Sequence, residues 1–161
     1  MNKGLIKRLF RDYSHYDVAS SSMNKDVKYE YGDNYIYMSP YRIYVTNKCY
    51  DEYETVPISK NVRDYINTVH DREHLLTPLK INRTDLEEKY KEVKILKGDF
   101  WAETYKIKTK YGNMGFNIKF LRDLLDEGKT DTVYITDLIS PVFNTNNLSG
   151  EFGMILPKRC H

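Results

Sequence analysis

Hydrophobic positions along the chain change period several times, and each change marks an element. Over residues 2–13, Leu5, Ile6, Leu9 and Phe10 recur at helical spacing, which predicts an amphipathic helix. Lys3, Lys7 and Arg11 stand four apart on another face of it, with Arg8 beside them. Ser20-Ser21-Ser22 reads as a loop. From Val27 the period drops to two: Tyr29 and Tyr31, Tyr35 and Tyr37, then Ile43 and Val45 alternate with polar residues. Gly32-Asp33-Asn34 and Ser39-Pro40 supply turns, so this stretch is an antiparallel meander, with residues 56–58 as one more short strand.

Residues 62–76 carry a sparser helical period that Pro78 either stops or follows just beyond, and residues 85–90 form a short helical stretch with Thr84 as its N-cap. Residues 93–96 look extended, followed by a turn at Gly98-Asp99 and a strand over residues 100–110. In that strand Trp101, Glu103, Tyr105, Ile107 and Thr109 alternate against Ala102, Thr104, Lys106 and Lys108, and Trp101 is expected to anchor the core. Tyr111-Gly112-Asn113 reads as a hairpin turn into an extended piece at 114–116. Residues 117–127 give the clearest helix, with Ile118, Leu121, Leu124 and Leu125 on one face and Gly128 at its C′ position. Strands at 132–136, 142–144 and 151–156 close the chain. The order predicts an α+β fold and a single domain over 1–161: half 1 about 1–58, a connector about 59–91, half 2 about 92–161. Each half would lay one helix on antiparallel strands, and the two halves could share a sheet.

Composition narrows the function. The 161 residues suit one domain, and 30% charged with 40% hydrophobic residues is a globular balance. Apolar runs are too short for a transmembrane helix or a signal peptide, so no membrane partner is expected. A net charge of +2 makes no global case for nucleic-acid binding, which must rest on local patches. Cys49 and Cys160 lack metal spacing and read as reduced thiols in a cytoplasm. The 15 tyrosines, with plentiful Lys, Asn, Asp and Ile, fit AT-rich coding, as in a low-GC bacterium or a virus infecting one.

No P-loop, no G-x-G-x-x-G and no Ser/His/Asp or Cys/His arrangement with recognisable flanks is present, which favours a non-enzymatic binding protein without a cofactor. His70 and His74 stand four apart in a pattern near H-E-x-x-H, but Asp71 replaces the glutamate and no third ligand is near, so an exposed charged helix is expected rather than a metal site. His15 and His161 show no partner. Tyrosines between Tyr29 and Tyr44 have three readings: stacking on bases, packing a sheet face, or a protein interface. Lys3, Lys7, Arg8 and Arg11 are candidate DNA-binding residues because cations in a row meet phosphates without reading sequence. Lys119 and Arg122, with Lys129, are the matching set on the second long helix, diluted by Asp123, Asp126 and Glu127.

One stretch carries a family likeness. Phe116-Asn117-Ile118-Lys119-Phe120-Leu121 runs into Leu124-Leu125, then comes Ser140-Pro141-Val142, then Gly153-Met154-Ile155-Leu156-Pro157-Lys158-Arg159. Over about 114–159 this resembles the last domain of bacterial DNA sliding clamps, the β subunit of the replicative DNA polymerase. That family has a Phe-Asn-x-x-x-Leu-x-x-x-Leu helix start, a Ser-Pro step and a final strand ending Met-Pro-Met-Arg. Over the first half the likeness is topological, the helix and Tyr-rich meander standing for one βαβββ repeat. The resemblance implies a clamp-like domain of two βαβββ-type halves, an antiparallel sheet with one helix per half packed on it, and helices turned toward double-stranded DNA. It makes Met154, Leu156, Pro157 and Arg159 candidates for binding peptides of replication proteins, although Lys158 stands where the family has methionine. A clamp protomer carries three such domains and closes a ring with a second protomer. This chain has room for one, which implies a homo-oligomer joined by sheet-edge pairing, or a monomer on a replication or recombination partner. The alternative is a phage or mobile-element interaction protein that occupies a host protein without touching DNA, marked by an exposed apolar or Tyr-rich patch and no basic face.

Overall fold

Asn2 opens the first helix, α1 (Lys3–Arg11): its side-chain oxygen accepts the Leu5 amide at 2.9 Å, satisfying one of the free N–H groups of the first turn. Arg8 and Arg11 fall in the last turn, where the helix dipole favours cations. The computed structural model describes residues 1–15, 26–96 and 104–158, which divide into two units. The first comprises Met1–His74 with Asn147–Gly153, the second Leu75–Asn146 with Met154–His161.

In the first unit α1 buries Leu5, Ile6, Leu9 and Phe10 and faces β2. A 3-10 turn follows at Asp12–His15. The meander is present as β1 (Val27–Tyr31), β2 (Asn34–Met38) and β3 (Arg42–Thr46), antiparallel, with Tyr29 opposite Ile36 and Tyr37 opposite Tyr44. Gly32 takes a φ of 58°, which makes the tight β1–β2 turn accessible without Cβ strain. The next strand, β4 (Glu54–Pro57), corrects the all-antiparallel expectation: it pairs parallel to β1, Val27 opposite Glu54, giving the order β4-β1-β2-β3. The loop between β3 and β4 brings the chain back to start beside β1. It is fastened by the Lys28 ammonium, which donates to the carbonyls of Tyr50 (2.9 Å) and Tyr53. Ser59 caps α2 (Lys60–Asp71), which buries Ile66 and ends before a 3-10 turn at Glu73–Leu75.

The second unit opens with β5 (Thr77–Lys80), so Pro78 lies beyond the helix, inside a strand, and does not itself stop the helix. Asn82, not Thr84, caps α3 (Arg83–Leu96), accepting the Asp85 amide at 3.1 Å. The expected strand at 93–96 is instead the last turn of α3. The predicted connector contains the two expected helices and, in addition, a strand, and its second helix runs on to Leu96. β6 (Thr104–Thr109) and β7 (Gly112–Asn117) form a hairpin turning at Lys110 and Tyr111, one residue earlier than expected, with Gly112 at a φ of 121°. β7 leads directly into α4 (Ile118–Gly128), capped by Asn117, whose side chain accepts the amides of Lys119 and Phe120. Gly128 is the last helical residue, and Lys129 (φ 50°) takes the left-handed position assigned to Gly128. The glycine answers a close approach instead: a Cβ there would lie 2.9 Å from Asn144 Cβ. β8 (Thr132–Ile135), β9 (Val142–Phe143) and β10 (Phe152–Ile155) are antiparallel neighbours, and β5 pairs with β8.

The chain is thus α+β with mixed strand pairing. Among the described residues no helix is long and apolar enough to cross a membrane. The predicted Ser20–Ser22 loop, the Gly98-Asp99 turn, Trp101, Arg159, Cys160 and His161 lie outside the described residues.

Candidate nucleic-acid interface

The helical period that buries Leu5, Ile6, Leu9 and Phe10 leaves Lys3, Lys7, Arg8 and Arg11 exposed, as expected. The cations are not equally available. Lys3 Nζ is 2.9 Å from Glu52 Oε1 and 5.5 Å from the Tyr50 ring centroid. The Glu52 hydrogen bond and charge hold the Lys3 ammonium above its usual pKa. A phosphate would have to displace that carboxylate.

The face beneath is held rigidly. Asp12, just past α1, is 3% exposed and receives Arg42 Nε at 2.8 Å, Arg42 Nη2 at 3.2 Å and Ser39 Oγ at 2.7 Å. Tyr13 donates to the Met38 carbonyl at 3.1 Å. In the last turn of the helix Phe10 meets Tyr53 edge to face at 5.3 Å. Tyr53 and Tyr50 also flank the Tyr37 ring, and burial pushes the Tyr37 hydroxyl up to about 12. The end of α1 and the β3–β4 loop are therefore tied to the sheet of the first unit through buried polar and aromatic groups. Sequence reasoning passed over Asp12, Lys28 and Arg42, because charged residues are ordinarily surface residues.

On α4, Lys119 is exposed while Arg122 is half-buried and engaged. Its Nε is 3.0 Å from both Glu87 oxygens, and its guanidinium lies 3.9 Å over the Tyr90 ring. Burial acts to raise the Glu87 carboxyl, but Arg122 and Arg83 outweigh it and leave it below the usual carboxylate range. Arg83 also pairs with Asp126. Arg122 thus joins α4 to α3, a geometry suited to structure rather than to phosphate capture. Lys129 is exposed at the left-handed cap. Asp123, expected as a surface diluent of the basic set, is buried.

The residues proposed to receive a peptide separate. Met154 is buried in β10, at 3% exposure, whereas Leu156 is exposed and Pro157 half-buried just beyond it. Lys158 donates its amide to the Gly115 carbonyl at 2.8 Å, tying this end to β7.

The tyrosine rows mostly pack. Tyr29, Tyr37 and Tyr44 are buried, leaving Tyr31, Tyr35 and Tyr41 half-buried, which matches the sheet-packing reading. His70 lies in the last turn of α2 and His74 in the 3-10 turn after it, so they do not share one regular helix. Among the described residues no group of three His, Cys, Asp or Glu side chains is placed to hold a metal ion. Cys49 is an exposed free thiol.

Comparison of the chain with protein families, with curated proteins and with solved structures found no match.

Proposed function

We propose that the chain is a non-enzymatic DNA-metabolism protein built like a single sliding-clamp domain, contacting double-stranded DNA and replication proteins. One observation carries this reading. The same element order, an amphipathic helix followed by a three-stranded antiparallel meander, is used twice: α1 with β1, β2 and β3, then α4 with β8, β9 and β10. That is the repeat to which the Phe116-Asn117, Ser140-Pro141 and Leu156-Pro157 motifs belong in clamps. Both helices bury their apolar faces and leave Lys7 and Lys119 exposed, the polarity a DNA-facing helix needs.

The direct test is fluorescence anisotropy of a labelled duplex against salt, combined with light scattering to count chains in the complex. DNA binding that weakens linearly in log salt, with Lys7→Gln weakening it further, supports the proposal. A chain that binds no duplex at 50 mM salt refutes it. A second reading, a phage or mobile-element protein that occupies a host protein without DNA, is favoured by Ile139. That side chain is 72% exposed on a loop pinned by Asp137, which accepts the amides of Ile139 and Ser140. It predicts no duplex affinity and a one-to-one protein complex sensitive to Ile139→Asp.

A further inference from the structure

The β6–β7 hairpin has two unlike faces. Tyr105, Met114 and Phe116 are buried and Ile107 half-buried on one of them. This apolar side fixes the direction of the other, where Lys106 and Lys108 alternate outward, continued by Lys110 at the turn; all three are exposed. A strand advances about 3.3 Å per residue, so neighbouring lysine stems stand about 7 Å apart. Their cross-strand neighbours are Gly115 opposite Lys106 and Asn113 opposite Lys108, so the ribbon itself supplies no counter-charge. Among the described residues none of these three lysines is in an ion pair, whereas Lys3 is held by Glu52 and Arg122 by Glu87. The ribbon is also anchored: β7 runs without a break into α4, and the Gly115 carbonyl accepts the Lys158 amide. At the tip, half-exposed Tyr111 has Lys110 Nζ 5.0 Å from its ring centroid.

We propose that this lysine face is a phosphate-contacting surface for double-stranded DNA, with Lys106, Lys108 and Lys110 as its cations. The assignment rests on the DNA-binding reading and adds a contact surface that the helices do not provide. A protein partner would need a buried apolar or aromatic anchor at the centre of the face, and Lys106, Lys108, Asn113 and Gly115 offer none. Evenly spaced lysines on a rigid strand suit a regular polyanion, and they position it without reading bases. Two-stranded ribbons are an established way of presenting side chains to a duplex.

The test uses the full chain and a labelled duplex, with anisotropy measured between 50 and 200 mM salt. Replacing all three lysines by glutamine removes three phosphate contacts. At about 0.9 per contact, the slope of log affinity on log salt becomes shallower by about 2.7, so the fourfold rise in salt costs about 40-fold less affinity than in the parent. The Lys→Arg triple should keep the parent slope. A circular-dichroism melt of each variant controls for folding, and Lys108→Gln alone, expected to change the slope by about 0.9, replaces the triple if that misfolds. A glutamine variant with the parent slope overturns the assignment and leaves the DNA reading standing. A parent chain with no duplex affinity at 50 mM salt overturns both. Unaltered DNA binding by the glutamine triple, with loss of binding to phosphatidylserine vesicles, would assign the face to a lipid surface and also overturn the proposal.

Discussion

Asp12→Ala should be among the most damaging single substitutions in the first unit. The Asp12 carboxylate and the Arg42 guanidinium are each 3% exposed and meet through two hydrogen bonds, with Ser39 Oγ adding a third at 2.7 Å. Removing one partner of such a pair leaves the other charge desolvated, which costs about 3–5 kcal/mol. Total stabilities of small proteins are about 5–15 kcal/mol, so the loss is a large fraction of the whole. With a urea dependence of about 2 kcal/mol per molar, the unfolding midpoint should fall by about 2 M. Far-UV circular dichroism against urea reads this directly. Asp12→Asn keeps an acceptor for Ser39 and should lie between the two. Asp12→Leu combined with Arg42→Met should recover most of the loss, since no charge then remains buried. A cost below about 1 kcal/mol for Asp12→Ala, or an Arg42→Met cost unchanged by it, would refute the coupling inferred from the geometry.

Gly128→Ala should destabilise by about 1–3 kcal/mol in thermal melts despite alanine's helix propensity, because the new methyl meets Asn144 Cβ at 2.9 Å and Asn144 is held by the Leu124 carbonyl. A gain in melting temperature would show that β9 yields freely. Lys28→Met keeps the apolar stem but removes the donor to the Tyr50 and Tyr53 carbonyls, so about 1–3 kcal/mol should be lost and the β3–β4 loop should become more sensitive to protease. Undiminished protection would mean that the aromatic contacts alone hold the loop. The Glu151 carboxylate accepts the Asn47 amide at 2.9 Å and the Thr46 hydroxyl at 2.8 Å, and the amide's hydrogen bond leads the lowering of its pKa. A lowered folded pKa stabilises above the unfolded value and loses that contribution as pH falls through the folded one. Glu151→Gln should therefore be less stable than the parent at pH 7, with the gap closing below the ordinary carboxylate range; a gap independent of pH would contradict the linkage.

The legible parts of the fold are those governed by local chemistry. α1 and α4 announce themselves by their helical period, and the meander by its turns. What escaped depends on distant partners. Nothing in residues 54–57 specifies parallel pairing with β1, because that register comes from the loop fastened by Lys28. Val93, Ile95 and Leu96 look extended in a short window but finish a helix begun at the Asn82 cap. For the candidate interface, exposure of the α1 cations followed from periodicity, whereas the pairing of Lys3 with Glu52 and of Arg122 with Glu87 is a tertiary fact. Met154 was a plausible surface residue by motif, yet every residue of β10 is buried, so alternation could not place it.

Strands β4 and β5 bear on self-association. Among the described residues each has a hydrogen-bonded strand on one side within its own unit, each is four residues long, and each contains a proline, Pro57 and Pro78. Imino acids at a margin forfeit donors that a docking chain would use, and strands this brief offer few rungs to begin with. Such borders discourage runaway templating into fibrils. They equally handicap any ring that would close through β4 and β5, so a multimer joined at these strands would draw its adhesion from side chains rather than from backbone rungs.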